Sequence, residues 1–343
     1  MQRVGVVVLN FNNYEETIRC TDSLLAQRGI VLSLVIVDNG SANDSCGRLR
    51  ERYEMPAARE ARTDEEKQPC HEIPAEHRAA VTLIHSPENL GFAGGMNLGI
   101  DELRGRRRRT DTEIRQLRLP ETVLRESGEP ADFIFLANSD LVFSDPYILQ
   151  QMVRAWEPGV GVVNPMVVNT DGSPALRVHF RAKYLCLRML KTYFPVLETL
   201  RSRRRRTAEK EAGKEAGRSR IERGEYTVVG CGYMYGPDFF RHYDRMYPET
   251  FLYGEEYATI LYLHKAGLCT MLAETAPIIH RHGASTPADL HSDPAFREKM
   301  RRRGHNVLVR LMLRSEQSIQ KKYGSVSRKE SGGERWESSG EWR

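Results

Sequence analysis

Long apolar runs along this chain stop abruptly at short polar clusters. "RVGVVVLNFN" is β-branched and apolar at successive positions, which predicts a strand buried on both faces. In "NYEETIRCTDSLLAQ", Ile18, Leu24 and Leu25 recur at roughly helical spacing. "LSLVIVDNGS" reads as a second buried strand, stopped by Asp-Asn-Gly-Ser. Strand, helix and strand in this order form a βαβ unit, and therefore a parallel sheet. "AAVTLIHS" predicts a third strand, "GFAGGMNLGIDELR" a Gly-rich turn into a helix, and "FIFLANSD" a fourth strand. Polar clusters follow three of the strands, at Asn10–Asn13, Asp38–Ser41 and Asn138–Asp140. Ligands of open parallel sheets bind outside the carboxyl ends of strands, so these clusters are expected to converge. The same residue types also favour plain turns.

With 343 residues the chain can bury a sizeable core. No apolar run is long enough to span a bilayer. The N-terminus runs straight into a strand pattern without a signal-peptide h-region. Cysteines 20, 46, 70, 186, 231 and 269 form no CxxC pairs, which suggests reduced thiols in a cytosolic protein. Two charged, aromatic-poor segments, 50–78 and 104–130, read as surface insertions. A low-complexity basic stretch near 202–225 reads as a flexible loop. The tail from 324 to 343 is Ser/Gly/Glu-rich and expected to be disordered. The net charge of +5 is modest, but arginines cluster at 104–109, 201–206 and 301–303. No nucleic-acid motif accompanies them. They suit anionic lipid or plain solvated surface. The segments 184–206 and 296–314 pair apolar residues at helical spacing with dense arginine. Each could lie along a membrane interface or dock its apolar face on the domain.

"VVVLNFNNYEETIRCTDSLLAQ", "LVIVDNGSANDS", "ENLGFAGGMNLGI", "FIFLANSD" and "FLYGEE" follow one another as they do in family 2 inverting glycosyltransferases. The sequence resembles the rhamnosyltransferase-like branch that builds bacterial capsule and O-antigen polysaccharides, over residues 3–285 with the insertions removed. The resemblance implies an α/β GT-A fold, with a Rossmann-like, mainly parallel sheet flanked by helices. Residues 1–145 would form the nucleotide-sugar half and 146–285 the acceptor half, followed by a helical extension over 286–323. It implies an inverting, metal-dependent transfer from a dTDP- or UDP-sugar to a saccharide acceptor, lipid-linked, at the inner face of the cell membrane. A non-catalytic nucleotide-sugar-binding component of an assembly complex is the alternative.

The resemblance also implies roles for individual residues. Leu9 and Asn10 would line the nucleotide pocket, and Asp38 would accept from the base imide and the ribose. Asn89, Gly91 and Asn97 would help hold the donor. The glycines there allow close backbone approach, and the helix start offers N–H groups toward phosphate. "NSD" takes the place of the family's Asp-X-Asp, with Asn138 for the first carboxylate and Asp140 as the metal ligand. Mg²⁺ or Mn²⁺ suits carboxylate and phosphate oxygens. Glu256 falls on the catalytic base position, with Glu255 beside it, while Ala258 departs from the family's frequent Asp. Of His280 and His282, His280 is the one expected to complete the metal site.

Overall fold

The computed structural model describes residues 1–53, 81–105, 130–175, 177–181, 219–220, 225–281 and 293–323. Most of both predicted insertions, most of the basic loop, the segment 184–206, His282, two of the cysteines (70 and 186) and the tail 324–343 lie outside these residues. At the centre are four parallel strands in the order β3-β2-β1-β4: β1 (Arg3–Asn10), β2 (Val31–Asn39), β3 (Val81–Ser86) and β4 (Phe133–Asn138). The sheet continues antiparallel through β11 (Gly232–Tyr235) to β6 (Val160–Asn164). Next come β12 (Cys269–Leu272), parallel to β6, and the short β9 (Ser219–Arg220). The result is a mixed α/β fold with a large, mainly parallel central sheet flanked by helices, as expected.

Period-two alternation along the central strands divides the core in two. Val4, Val6 and Val8 face α1 (Tyr14–Leu25), α2 (Ser45–Tyr53) and α4 (Ile148–Ala155). Val7, Val35 and Leu136 join the opposite core, with α3 (Gly91–Leu103), α5 (Pro237–His242) and α6 (Glu255–Ala266). Two C-terminal helices close that side, α7 (Pro294–Leu313) and α8 (Glu316–Tyr323). The start of α7 is set by Pro294 in its first turn and by Asp293, whose side chain accepts from Ala295 N. Its apolar residues Met300, Val307, Leu308 and Leu311 are buried. The apolar face expected at 296–314 therefore docks on the protein, leaving the arginines outside.

Register places the candidate residues. Asn10 pairs with Asp38, Leu9 with Asn138, and Asp38 with His85, so four strand ends stop at one edge. A second, three-stranded sheet joins β5 (Leu141–Phe143), β13 (Ile278–His280) and β7 (Val167–Asn169). Within it His280 pairs with Leu141, which brings the histidine to the residue after Asp140. Separately, β8 (Arg177–Arg181) pairs antiparallel with β10 (Glu225–Val229).

Candidate active site

Asp38 is fully buried at the end of β2. Asn10 Nδ2 donates to its Oδ1 at 2.7 Å, the Ser41 hydroxyl donates to the same oxygen, and His85 Nδ1 lies 2.8 Å from Oδ2. A buried carboxylate requires such partners. Asn10 is itself fixed by Thr17, whose hydroxyl donates to its Oδ1 at 2.7 Å. The loops after β1 and β2 are stitched together: Asn12 N donates to Ser41 Oγ at 2.8 Å, and Ala42 N donates to Asn12 Oδ1 at 2.8 Å. Leu9 packs at the edge of the core beside them. Asp38, His85 and Cys46 each offer a ligand atom within 4.8 Å of the others, a grouping that could hold a metal ion.

The Gly-rich segment is used differently from the expectation that it faces a phosphate. Leu90 N donates to Asn39 Oδ1, Gly91 N to Asn89 Oδ1, and Phe92 N to the Phe251 carbonyl. The first N–H groups of α3 are thus taken within the protein. Gly91 has φ +75°, and a Cβ there would lie 2.5 Å from Phe251 O, so glycine is needed for a close protein–protein approach. Asn97 is buried, with both polar ends bound to the Met246 backbone: Nδ2 to O at 3.1 Å and Oδ1 to N at 2.9 Å. These residues tie the first half of the chain to the second.

Asp140 lies just beyond β4, almost fully buried. Its Oδ2 is 3.3 Å from His280 Nε2, and its carbonyl accepts from Arg281 N at 2.9 Å. Its other oxygen, Oδ1, is buried without a hydrogen-bond partner among the described residues, and so is Asn138 Oδ1. Buried orphaned oxygens are costly in a protein interior. The orphaned Asp140 oxygen and the imidazole beside its other oxygen are donor types that a divalent cation accepts.

Glu255 and Glu256 open α6, and the neighbouring strand-end turn stands close by, since a Cβ on Gly230 would meet Glu256 Oε1. Burial and the adjacent Glu256 carboxylate push the Glu255 carboxyl up to about 8, and burial raises that of Glu256 as well. Glu255 Oε1 also lacks a partner among the described residues. Cys231 links the two carboxylate groups. Its thiol is pushed up to about 12 by burial and by the charges of Asp140 and Glu256, while its carbonyl accepts from Asn138 N at 3.0 Å.

The geometry also involves residues without a sequence-predicted role: Ser41, His85 and Cys231. His85 had a readable signal, because it ends the third predicted strand as Asp38 ends the second. Cys231 had none, since only the antiparallel pairing of β11 with β4 brings it beside Asn138.

No curated protein matches the chain. Among solved structures, S. aureus TarS 1–349 is similar at 10% identity and TM-score 0.48, over 82% of this chain and 60% of that one. A mannosyltransferase, PcManGT from Pyrobaculum calidifontis in complex with GDP-Man and Mn²⁺, is similar at 14% identity and TM-score 0.47, over 90% of this chain and 64% of that one. The chain thus spans less than two thirds of the length of either. The stretch from within β1 to just past α3, residues 5–107, matches the family model of Glycosyl transferase family 2.

Proposed function

We propose that this protein is a metal-dependent, inverting glycosyltransferase that uses a nucleoside-diphosphate sugar. The observation that carries the reading is the orphaned, buried Oδ1 of Asp140, with His280 Nε2 3.3 Å from its other oxygen at the edge where the strands end. Asp140, Asn138 and His280 would hold Mg²⁺ or Mn²⁺, which would supply positive charge to the leaving diphosphate. Asp38 would receive the base and ribose of the donor, with Asn10, Ser41 and His85 holding its carboxylate in place. Asn89, Gly91 and Asn97 would act from behind, fixing the donor half against the second half.

Glu256 would take the proton of the acceptor hydroxyl as that oxygen attacks the anomeric carbon, and the bond to the diphosphate breaks on the opposite face. A base with a raised pKa suits this step, because proton transfer is most effective near the working pH. The finer reading follows the sequence resemblance: a dTDP- or UDP-sugar donor, a rhamnosyl group, a lipid-linked saccharide acceptor and a role in capsule or O-antigen synthesis at the cytoplasmic face of the membrane.

The test is release of nucleoside diphosphate from a panel of UDP-, dTDP- and GDP-sugars in Mn²⁺, with and without saccharide acceptors. One donor is expected to be turned over, and Asp140→Ala and EDTA are each expected to abolish turnover. Wild-type turnover in EDTA would refute the metal. Donor binding without any diphosphate release would instead favour a non-catalytic binding component, the reading to which Asn138 in place of a carboxylate points.

A further inference from the structure

The turn ahead of Glu255 is held in an unusual conformation. Tyr253 has φ +68° and Gly254 has φ +106°. A tyrosine in the left-handed region persists only where its surroundings over-determine it. Two helices do so. From one side, Phe92 N of α3 donates to Phe251 O at 2.8 Å. From the other comes α7. A Cβ on its Gly304 would lie 2.4 Å from the Tyr253 carbonyl oxygen, and Leu308 Cδ1 lies 3.3 Å from where a Cβ of Gly254 would stand. Arg303 of α7 sits over the Phe251 ring, 5.6 Å from its centroid. The Gly254 carbonyl then accepts from Ala258 N at 2.9 Å, so the turn's direction becomes the direction of α6.

We propose that α7 is a positioning element of the active site: Gly304 seats it against the Tyr253 carbonyl, Leu308 covers Gly254, and together they set how Glu255 and Glu256 enter the site. The mechanical coupling stands on these contacts alone, whereas its catalytic consequence rests on the glycosyltransferase reading. Cores and tight interfaces respond to single methyl groups because they are close-packed. One added methyl at residue 304 must therefore move either the helix or the turn. The charges of the carboxyl pair are felt by Cys231, just before β11, by Tyr233 of β11 and by Tyr253, whose hydroxyl also senses Arg297 and Arg301 of α7.

The test is Gly304→Ala. We expect a folded protein whose kcat falls roughly ten- to a hundredfold, as for a small misplacement of a catalytic group, with a smaller effect on the donor KM because the turn leads directly into Glu255 and Glu256. A second readout needs no activity. In protein labelled with carboxyl-¹³C glutamate, assigned with Glu255→Gln, the raised titration of Glu255 should move toward the ordinary range, as hydration of a displaced turn requires. Leu308→Val, which trims the contact on Gly254 without opening a large cavity, should shift both readouts the same way, and it decides the matter if Gly304→Ala does not fold. Wild-type kcat and wild-type carboxyl titration in the folded variants would overturn the proposal. If the wild-type protein transfers no sugar, the functional reading fails, while the titration still decides whether α7 positions the pair.

Discussion

At the first turn of α6, buried Glu255 and its half-buried neighbour Glu256 have raised carboxyls, which predicts a stability that falls as pH rises. The folded value of Glu255, about 8, lies above the ordinary 4.5. Between these values the folded protein keeps a proton that the unfolded chain has released, so stability falls as pH rises through that window. The contribution is complete below the ordinary value and lost above the folded one. We expect thermal stability to be lower at about pH 8.5 than at about pH 6, with Glu255→Gln shrinking the difference. A difference left intact in that variant would assign it to another group. Glu256→Gln keeps size and hydrogen-bond reach but cannot take a proton. It should bind donor normally and lose about 10²-fold or more in kcat, typical of a positioned base. Activity in Glu256→Gln together with its loss in Glu255→Gln would move the base one residue earlier.

At the scale of elements, the C-terminal helices are fastened through Glu249. Arg314 Nη1 donates to Glu249 Oε1 at 3.0 Å and Lys322 Nζ at 3.1 Å, and the Tyr323 hydroxyl donates to the same oxygen. Burial alone would raise this carboxyl, but hydrogen bonds from Tyr323, Arg314, Lys322 and Tyr247 hold it at about 2. A depressed value stabilises the fold above the ordinary carboxylate range and loses that contribution as pH falls toward the folded value. We expect Glu249→Gln to cost on the order of 1–2 kcal/mol, discounted for the partial exposure of the cluster. Hydrogen exchange should rise first in residues 316–323, and unchanged exchange there would show that the apolar contacts of α7 and α8 hold them unaided. Apolar spacing made α7 readable in the sequence almost to its ends. The clamp was not readable, because Glu249 and Tyr323 are far apart along the chain and meet only when the helices fold back.

For the whole molecule, the burial of the apolar face of α7 decides how it could meet a membrane. No helix among the described residues is long and apolar enough to cross one. Arg297, Lys299, Arg301, Arg302, Arg303 and Arg310 are exposed along its outer face, with Glu298 paired to two of them. Association of α7 with anionic headgroups would then be electrostatic, worth about 1 kcal/mol per basic residue near the surface, without insertion of this helix. The protein is expected to sediment with anionic vesicles at low salt, to be released at high salt as screening shortens the reach of its charges, and to ignore neutral vesicles. Failure to bind anionic vesicles at any ionic strength would remove the membrane from the reading and leave the sugar-transfer chemistry untouched.

The sequence by itself determined the four parallel strands, the helices α1 and α3 and the polar stops at the strand ends. These rest on local periodicity and on the turn preferences of Asn, Asp, Ser and Gly, which need no partner elsewhere. It did not determine α2, whose last residues fall in the segment read as a surface insertion although Tyr53 is buried. The strand-end rule also marked the clusters that hold Asp38 and Asp140, whereas their roles, and the choice of His280 and of the Glu255–Glu256 pair, came from the family resemblance. Only the tertiary structure decided what each of these meets. His85 reaches Asp38 through the β2–β3 register, and His280 reaches Asp140 through pairing with β5, across more than a hundred residues of chain. The glycines at the start of α3 looked suited to a phosphate, yet Gly91 serves contact with Phe251 and Gly95 faces Leu9 and Asn39. A missing side chain shows that something comes close, and only the fold decides whether that is a ligand or the protein itself.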